Sequence, residues 1–139
     1  MATLERLFYV SRVAGDGAAV DIQRLLGRSR MRNRRLDITG MLAFSGRHFA
    51  QVLEGAVPAV EELVAKVTGD PRHTDFTIVL RKPIVARDYG EWEMGYIEGF
   101  GAGERIEALI GAPPPAGVAG VADLAEIERF VTRLFAPAF

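Results

Sequence analysis

An α+β fold follows from three features of this 139-residue sequence. Short β-forming runs alternate with helical stripes in the order β-α-β-β-α-β-β. A tight turn at Ser45-Gly46-Arg47 joins two apolar runs into a hairpin, and two further helical segments come last. The first six elements match the ferredoxin-like split βαβ arrangement, so the prediction is a βαββαβ sandwich with an added fifth strand. Two helices cover one sheet face, and the two C-terminal helices have only the opposite face on which to bury their stripes. The chain divides into an αβ domain at 1–98 and a helical extension at 99–139 packed on the sheet.

Leu4 to Arg12 reads as a strand, bounded by the breaker Gly15-Asp16-Gly17. Leu7, Tyr9 and Ser11 share one face, and Phe8 and Val10 the other. Ala18 to about Arg32 reads as a helix, with Asp16 as N-cap and a stripe of Ile22, Leu25, Leu26 and Ser29. Asn33 extends that stripe and is either a C-terminal cap or a recognition amide. Arg28, Arg30, Arg32, Arg34 and Arg35 crowd the helix end, where cations suit the dipole. A solvated basic end accounts for most of them, and one or two can meet a phosphate.

The hairpin spans Ile38 to Gly55. In its second run Phe49, Gln51 and Leu53 face one way, and Ala50, Val52 and Glu54 the other. Pro58 to Thr68 is the second helix, with Val60, Leu63, Val64 and Val67 as its stripe and Gly69-Asp70-Pro71 as its stop. Arg72 and His73 follow in a loop, and His73 is open between a surface and a ligand-facing position. Phe76 to Val85 is a strand that Pro83 marks as an edge. Trp92 to Ile97 is the last strand, with Trp92, Met94 and Tyr96 on one face. Glu104 to Gly111 is a short helix, Pro113 to Gly120 a bend, and Ala122 to Phe135 a final helix with Leu124, Ile127, Phe130, Val131 and Leu134 inward.

The totals exclude several classes. Hydrophobic content of 49% with 25% charge is that of an ordinary globular domain. A net charge of −1 supplies no field toward nucleic acid or anionic lipid. No apolar run approaches the roughly 20 residues of a membrane span, and the charged N-terminus is no signal peptide, so a cytoplasmic protein is expected. Cysteine is absent, which removes disulfides, thiol nucleophiles and zinc–thiolate sites. No metal cluster and no nucleophile–base pair stands out, so neither a metal site nor an enzyme is predicted.

In the predicted topology the first and third strands lie adjacent and parallel at the sheet centre. Tyr9 and Gln51 then meet under the groove between the first two helices. A buried amide without partners costs about 1–3 kcal/mol, so Gln51 requires a polar partner: a neighbouring strand or loop, or a ligand. Ser29 and Asn33 end over the same groove, Val67 closes it, and Leu25, Leu42 and Phe49 line it. An apolar slot with a few convergent polar groups suits a flat heteroaromatic, with Arg72 or the arginines near Asn33 at a phosphate.

Five motifs carry a resemblance. They are Tyr9-Val10-Ser11; N-x-x-x-x-I-T-G-x-L from Asn33 to Leu42; F-x-Q-x-L-E-G from Phe49 to Gly55; Asp70-Pro71-Arg72-His73; and Trp92-x-Met94. In this order and spacing, over about residues 4 to 97, they resemble the BLUF domain, the blue-light sensor using flavin. The final helices resemble those of short, stand-alone members without an attached output domain. The resemblance implies a non-covalently held FAD, with FMN or riboflavin able to substitute, between the first two helices. It implies Tyr9 as photochemical electron and proton donor, Gln51 as the bridge to the flavin edge, Asn33 at the pyrimidine end, and Arg72 near the ribityl or phosphate. Trp92 and Met94 are implied as the neighbours whose placement changes with Gln51. No role carries onto Arg32. A downstream protein partner and a homodimer are further expectations.

The rival reading from the same element order is an RNA-binding αβ-plait, faintly suggested by Leu7-Phe8-Tyr9-Val10. The third strand lacks the K/R-G-F/Y pattern, the charge is not basic, and the late helices cover the face that RNA needs.

Overall fold

A computed structural model describes residues 3–15, 21–98, 103–111 and 121–136. The elements are β1 (Leu4–Val13), α1 (Ile22–Leu36), β2 (Thr39–Phe44), β3 (His48–Ala56), α2 (Val57–Thr68), β4 (His73–Ile84), β5 (Gly95–Glu98), α3 (Gly103–Gly111) and α4 (Val121–Phe135). They form one five-stranded sheet in the order β4-β1-β3-β2-β5. This is the predicted ferredoxin-like arrangement, with β5 as the added strand, parallel to β2.

β1 and β3 are adjacent as expected but antiparallel, not parallel. The crossover through α1 returns β2 parallel to β1, and the hairpin then reverses β3. The hairpin turn closes through Ser45 N–H to the His48 carbonyl (3.0 Å), with Gly46 at φ +94, a left-handed position that glycine takes without strain.

Both faces of the central strands are covered. Leu7, Leu26, Ile38, Leu53, Val60 and Leu63 pack in one cluster with α1 and α2. Phe8, Val10, Ala50, Val52, Ile106, Phe130 and Phe135 pack in the other, with α3 and α4. This double burial is why Leu7 to Val10 of β1 is an unbroken apolar run, with apolar side chains pointing to both faces of the sheet. The sheet face that an RNA-binding plait would present is occupied by α3 and α4.

Element boundaries depart from the sequence reading in three places. The first helix begins at Ile22, capped by Asp21, whose Oδ1 accepts from Arg24 N–H at 3.1 Å, and runs on to Leu36. Asp37 ends it in the left-handed region at φ 54, a conformation an aspartate tolerates. The expected cap Asp16, the Pro113–Gly120 bend and the Leu124 side chain lie outside the described residues. β4 begins at His73, three residues earlier than expected, and is an edge strand, where the missing N–H of Pro83 costs little. β5 begins only at Gly95, so Trp92 and Met94 precede it. A side chain at Gly95 would meet Met41 Sδ at 2.2 Å, so the strand enters the sheet on a residue with no Cβ.

Candidate functional site

Tyr9 and Gln51 are direct partners across β1 and β3, so both side chains leave the sheet on the α1/α2 face. Both are buried, at 5% and 3% exposure. The Tyr9 hydroxyl donates to Gln51 Oε1 in a short hydrogen bond. Gln51 Nε2 in turn donates to Met94 Sδ at 3.3 Å. A thioether only accepts, which fixes the amide with its oxygen toward Tyr9 and its nitrogen toward Met94. Burial pushes the Tyr9 phenol well above its ordinary range, outweighing the opposing charges of Arg32 and Arg72, so it is a neutral donor.

A slot opens beside this relay between α1 and the α2–β4 turn. Tyr9, Leu25, Ser29, Leu42, Phe49, Gln51, Val67, Arg72 and His73 line it, together with Arg32 and Asp70. Asn33, expected over the same groove, lies within α1 three residues before its end and is fully buried, but it is not among the residues that line the slot. It is not the helix cap, a role Asp37 takes. Its Nδ2 donates to the Glu93 carbonyl at 2.6 Å, and its Oδ1 has no partner among the described residues. The buried Nε of Arg32 likewise has none.

His73 is half-buried and is the first residue of β4 rather than part of a loop. Its Nε2 faces the Val67 carbonyl at 2.5 Å, which only accepts, so Nε2 donates there, and Nδ1 pairs with the buried Ser11 hydroxyl at 2.8 Å. The ring stands edge-on to Tyr9, Phe49 and Phe76. Arg72 is held by Asp70, which takes its Nε at 3.0 Å and its backbone N–H at 2.9 Å. That hydrogen-bonded guanidinium holds the Asp70 carboxyl below the usual carboxylate range.

Trp92 and Met94 do not share a face. Met94 packs in the α1/α2 cluster with Tyr9, and Trp92 packs against the α3/α4 cluster. Period-2 alternation does not hold for Trp92 and Met94, because both precede β5 and the backbone turns there. Arg30 Nε donates to the Met94 carbonyl at 3.0 Å, and the Arg34 fork holds the Glu93 carboxylate at 2.8 and 3.0 Å. Sequence reasoning missed Arg32 and Asp70 in the slot. Arg32 was hidden in a basic cluster that suits any solvated helix end, and Asp70 in a helix-stop signal.

The group this set suits has a flat polar edge with both an N–H and carbonyl oxygens. The free Asn33 Oδ1 calls for a donor, and Arg32 Nε calls for an acceptor. The pyrimidine edge of a flavin carries both, so the residues present fit that cofactor. No metal-holding group of His, Cys, Asp or Glu occurs among the described residues, and no helix among them is long and apolar enough to cross a membrane.

Comparison with known proteins agrees with this geometry. The model of the BLUF family, "sensors of blue-light using FAD", matches residues 4–95. Photoactivated adenylate cyclase subunit beta of Euglena longa is 36% identical over 94 residues, 67% of this chain and 11% of that protein. The blue light- and temperature-regulated antirepressor BluF of Escherichia coli K12 is 33% identical over 88 residues, 63% of this chain and 22% of that protein. The chain thus matches between about a tenth and a fifth of these relatives' lengths. Among solved structures, the dark state of the BLUF protein BlrB superposes with a TM-score of 0.71 at 33% identity, covering 96% of this chain and 98% of that one. The photo-activated state of BlsA, at 22% identity and a TM-score of 0.72 over 94% of each chain, shares the fold. From its motifs, its sheet order and these matches, the chain belongs to the BLUF family of blue-light sensors that use flavin.

Proposed function

We propose that this chain senses blue light through a flavin held non-covalently in the slot between α1 and α2, and reports absorption through Tyr9 and Gln51. The observation that carries the reading is the relay Tyr9 Oη–H to Gln51 Oε1 and Gln51 Nε2–H to Met94 Sδ at the slot wall. Asn33 Oδ1, Arg32 and Gln51 would hold the pyrimidine edge, Leu25, Ser29, Leu42, Phe49, Val67 and His73 the ring and its tail, and Arg72 the ribityl or phosphate. A bound flavin supplies a blue-absorbing chromophore that becomes a strong oxidant when excited.

The chain's own residues supply the rest. Tyr9 is a neutral phenol, able to give up an electron together with its proton, and Gln51 Oε1 is the atom placed to take that proton. When electron and proton return, the amide can settle turned about. Turned, it presents Nε2 to Tyr9 Oη and Oε1 to Met94 Sδ, which has no hydrogen to give, so the Met94 tie is lost. One local change thus biases the segment carrying Trp92 and Met94.

The native flavin is FAD in this reading, with FMN or riboflavin able to substitute. The chain is a sensor module and not an enzyme: residues 1–98 form the flavin-binding domain, and 99–139 the helical extension that passes the signal on. A downstream protein is the partner, a homodimer the assembly and the cytoplasm the setting; neither nucleic acid nor membrane is involved. The test is the absorption spectrum of the purified chain before and after blue light. The expected result is a flavin spectrum, released intact on denaturation, that shifts to the red and recovers in the dark. A colourless protein that cannot be reconstituted with flavin contradicts the reading.

A further inference from the structure

Glu54 is a carboxylate with no exposure to solvent, lying three residues after Gln51 on β3 and on the opposite, α3/α4 face. Burying a charge is costly, and a core that needed only a tie between β1 and β3 would do as well with apolar side chains. What Glu54 bonds is specific. It accepts from Arg6 Nε at 2.8 Å, from Asp88 N–H at 3.1 Å and from Tyr89 N–H at 2.6 Å. Its backbone carbonyl accepts from Arg87 Nη1 at 3.1 Å. One residue thereby fixes three consecutive positions at the start of the segment joining β4 to β5.

That segment ends at Met94, the residue bonded to Gln51 Nε2, and it passes Trp92, whose carbonyl accepts from Gly40 N–H at 3.0 Å. Tyr89 also packs edge-on against the fully buried Phe135 of α4, with ring centroids 6.1 Å apart. β3 therefore grips the segment at both ends, through Glu54 on one face of the sheet and through Gln51 on the other.

We propose that Glu54 is a positioning residue of the photoreaction: it anchors residues 87–89 so that Met94 stays seated against Gln51 and Tyr89 against α4, and it thereby sets the barrier for return to the dark state. The inference rests on the light-sensing reading above.

The test compares flavin-loaded wild type, Glu54→Gln and Glu5→Gln. Glu5 is a matched control: it is also buried and held by a guanidinium fork, from Arg81 at 2.8 and 2.9 Å, but that fork belongs to β4 and lies outside the 87–94 segment. A glutamine at 54 keeps one acceptor and turns its NH₂ toward donors. Glu54→Gln is expected to keep its flavin and its red shift while recovering about ten-fold faster in the dark, the effect of losing roughly one charge-assisted hydrogen bond from the barrier. Glu5→Gln, with a comparable fall in thermal midpoint, is expected to recover within about two-fold of wild type. Equal recovery in Glu54→Gln and wild type, or equal acceleration in both variants, overturns the proposal.

If Glu54→Gln does not fold, hydrogen exchange on the wild type decides. The Asp88 and Tyr89 amides are expected to be protected in the dark and to exchange faster under blue light. Unchanged exchange there in a wild type that still red-shifts overturns the positioning role alone, and a wild type without flavin or red shift overturns the light-sensing reading.

Discussion

At the scale of single residues, the site depends on a few buried polar groups whose partners are fixed by chemistry. Gln51 is the clearest, because its two unlike ends face a phenol and a thioether. Met94→Leu keeps the volume but removes the acceptor for Gln51 Nε2. It is expected to retain flavin and to cost about 1–3 kcal/mol in urea unfolding, because a buried donor loses its partner. Its dark recovery, followed by absorbance, is expected to change several-fold, since a buried amide end left unpaired is worth about 1–3 kcal/mol. Recovery identical to wild type would show that Met94 merely fills space. Tyr9, Gln51 and Asn33 were legible in the sequence because polar side chains on apolar stripes ask for partners. Arg32 was not, because its neighbours are also arginines, and nothing local tells a buried guanidinium from a solvated one. Glu54 was legible only as part of a motif, since its partners Arg6, Asp88 and Tyr89 lie far along the chain.

At the scale of elements, periodicity located the strands and helices, and tertiary contacts set their ends. The hairpin and the stripe of α2 followed from turn chemistry and 3.6-residue spacing. The start of β5 did not, because its backbone is admitted by Gly95 against Met41, a contact between segments distant in sequence. Gly95→Ala is accordingly expected to destabilise by about 1–3 kcal/mol by overpacking, measured by urea unfolding. No change in midpoint would mean that Met41 can move aside freely.

The docking of α3 offers a pH test. Glu107 bonds Arg12 and the ring of His48, and these hydrogen bonds hold its carboxyl down at about 2. A carboxyl depressed in the folded state stabilises it above the unfolded value of about 4.3, and the contribution is lost as pH falls toward 2. The thermal midpoint of wild type is thus expected to exceed that of Glu107→Gln near neutrality and to converge with it between about pH 4.5 and 2. The gap is expected to shrink in high salt, because the pair is exposed. A gap independent of pH would place the effect of the variant elsewhere.

At the scale of the whole molecule, the sheet is a shared wall between a sensing layer and a helical layer. The sequence announced both layers through its element order, and it announced the outer one through apolar stripes that had only one face left to cover. The antiparallel direction of β3 relative to β1 follows from the α1 crossover and the hairpin already present in the element order, whereas the separation of Trp92 from Met94 emerges only once the β4–β5 segment is traced in space. Phe135 is fully buried against Tyr89, so Phe135→Ala is expected to cost about 3–5 kcal/mol. The loss is expected in one cooperative unfolding transition that the helices share with the sheet. A separate early transition of the helices would contradict this coupling.

The claim on which the account turns is that the Tyr9 hydroxyl, bonded to Gln51, is the donor that makes light absorption visible to the protein. The most direct measurement is the light-minus-dark absorption difference of flavin-loaded Tyr9→Phe beside wild type. The variant is expected to stay yellow, to match wild type in flavin content and to show no red shift under blue light. A red shift of wild-type size and lifetime in Tyr9→Phe would contradict the assignment.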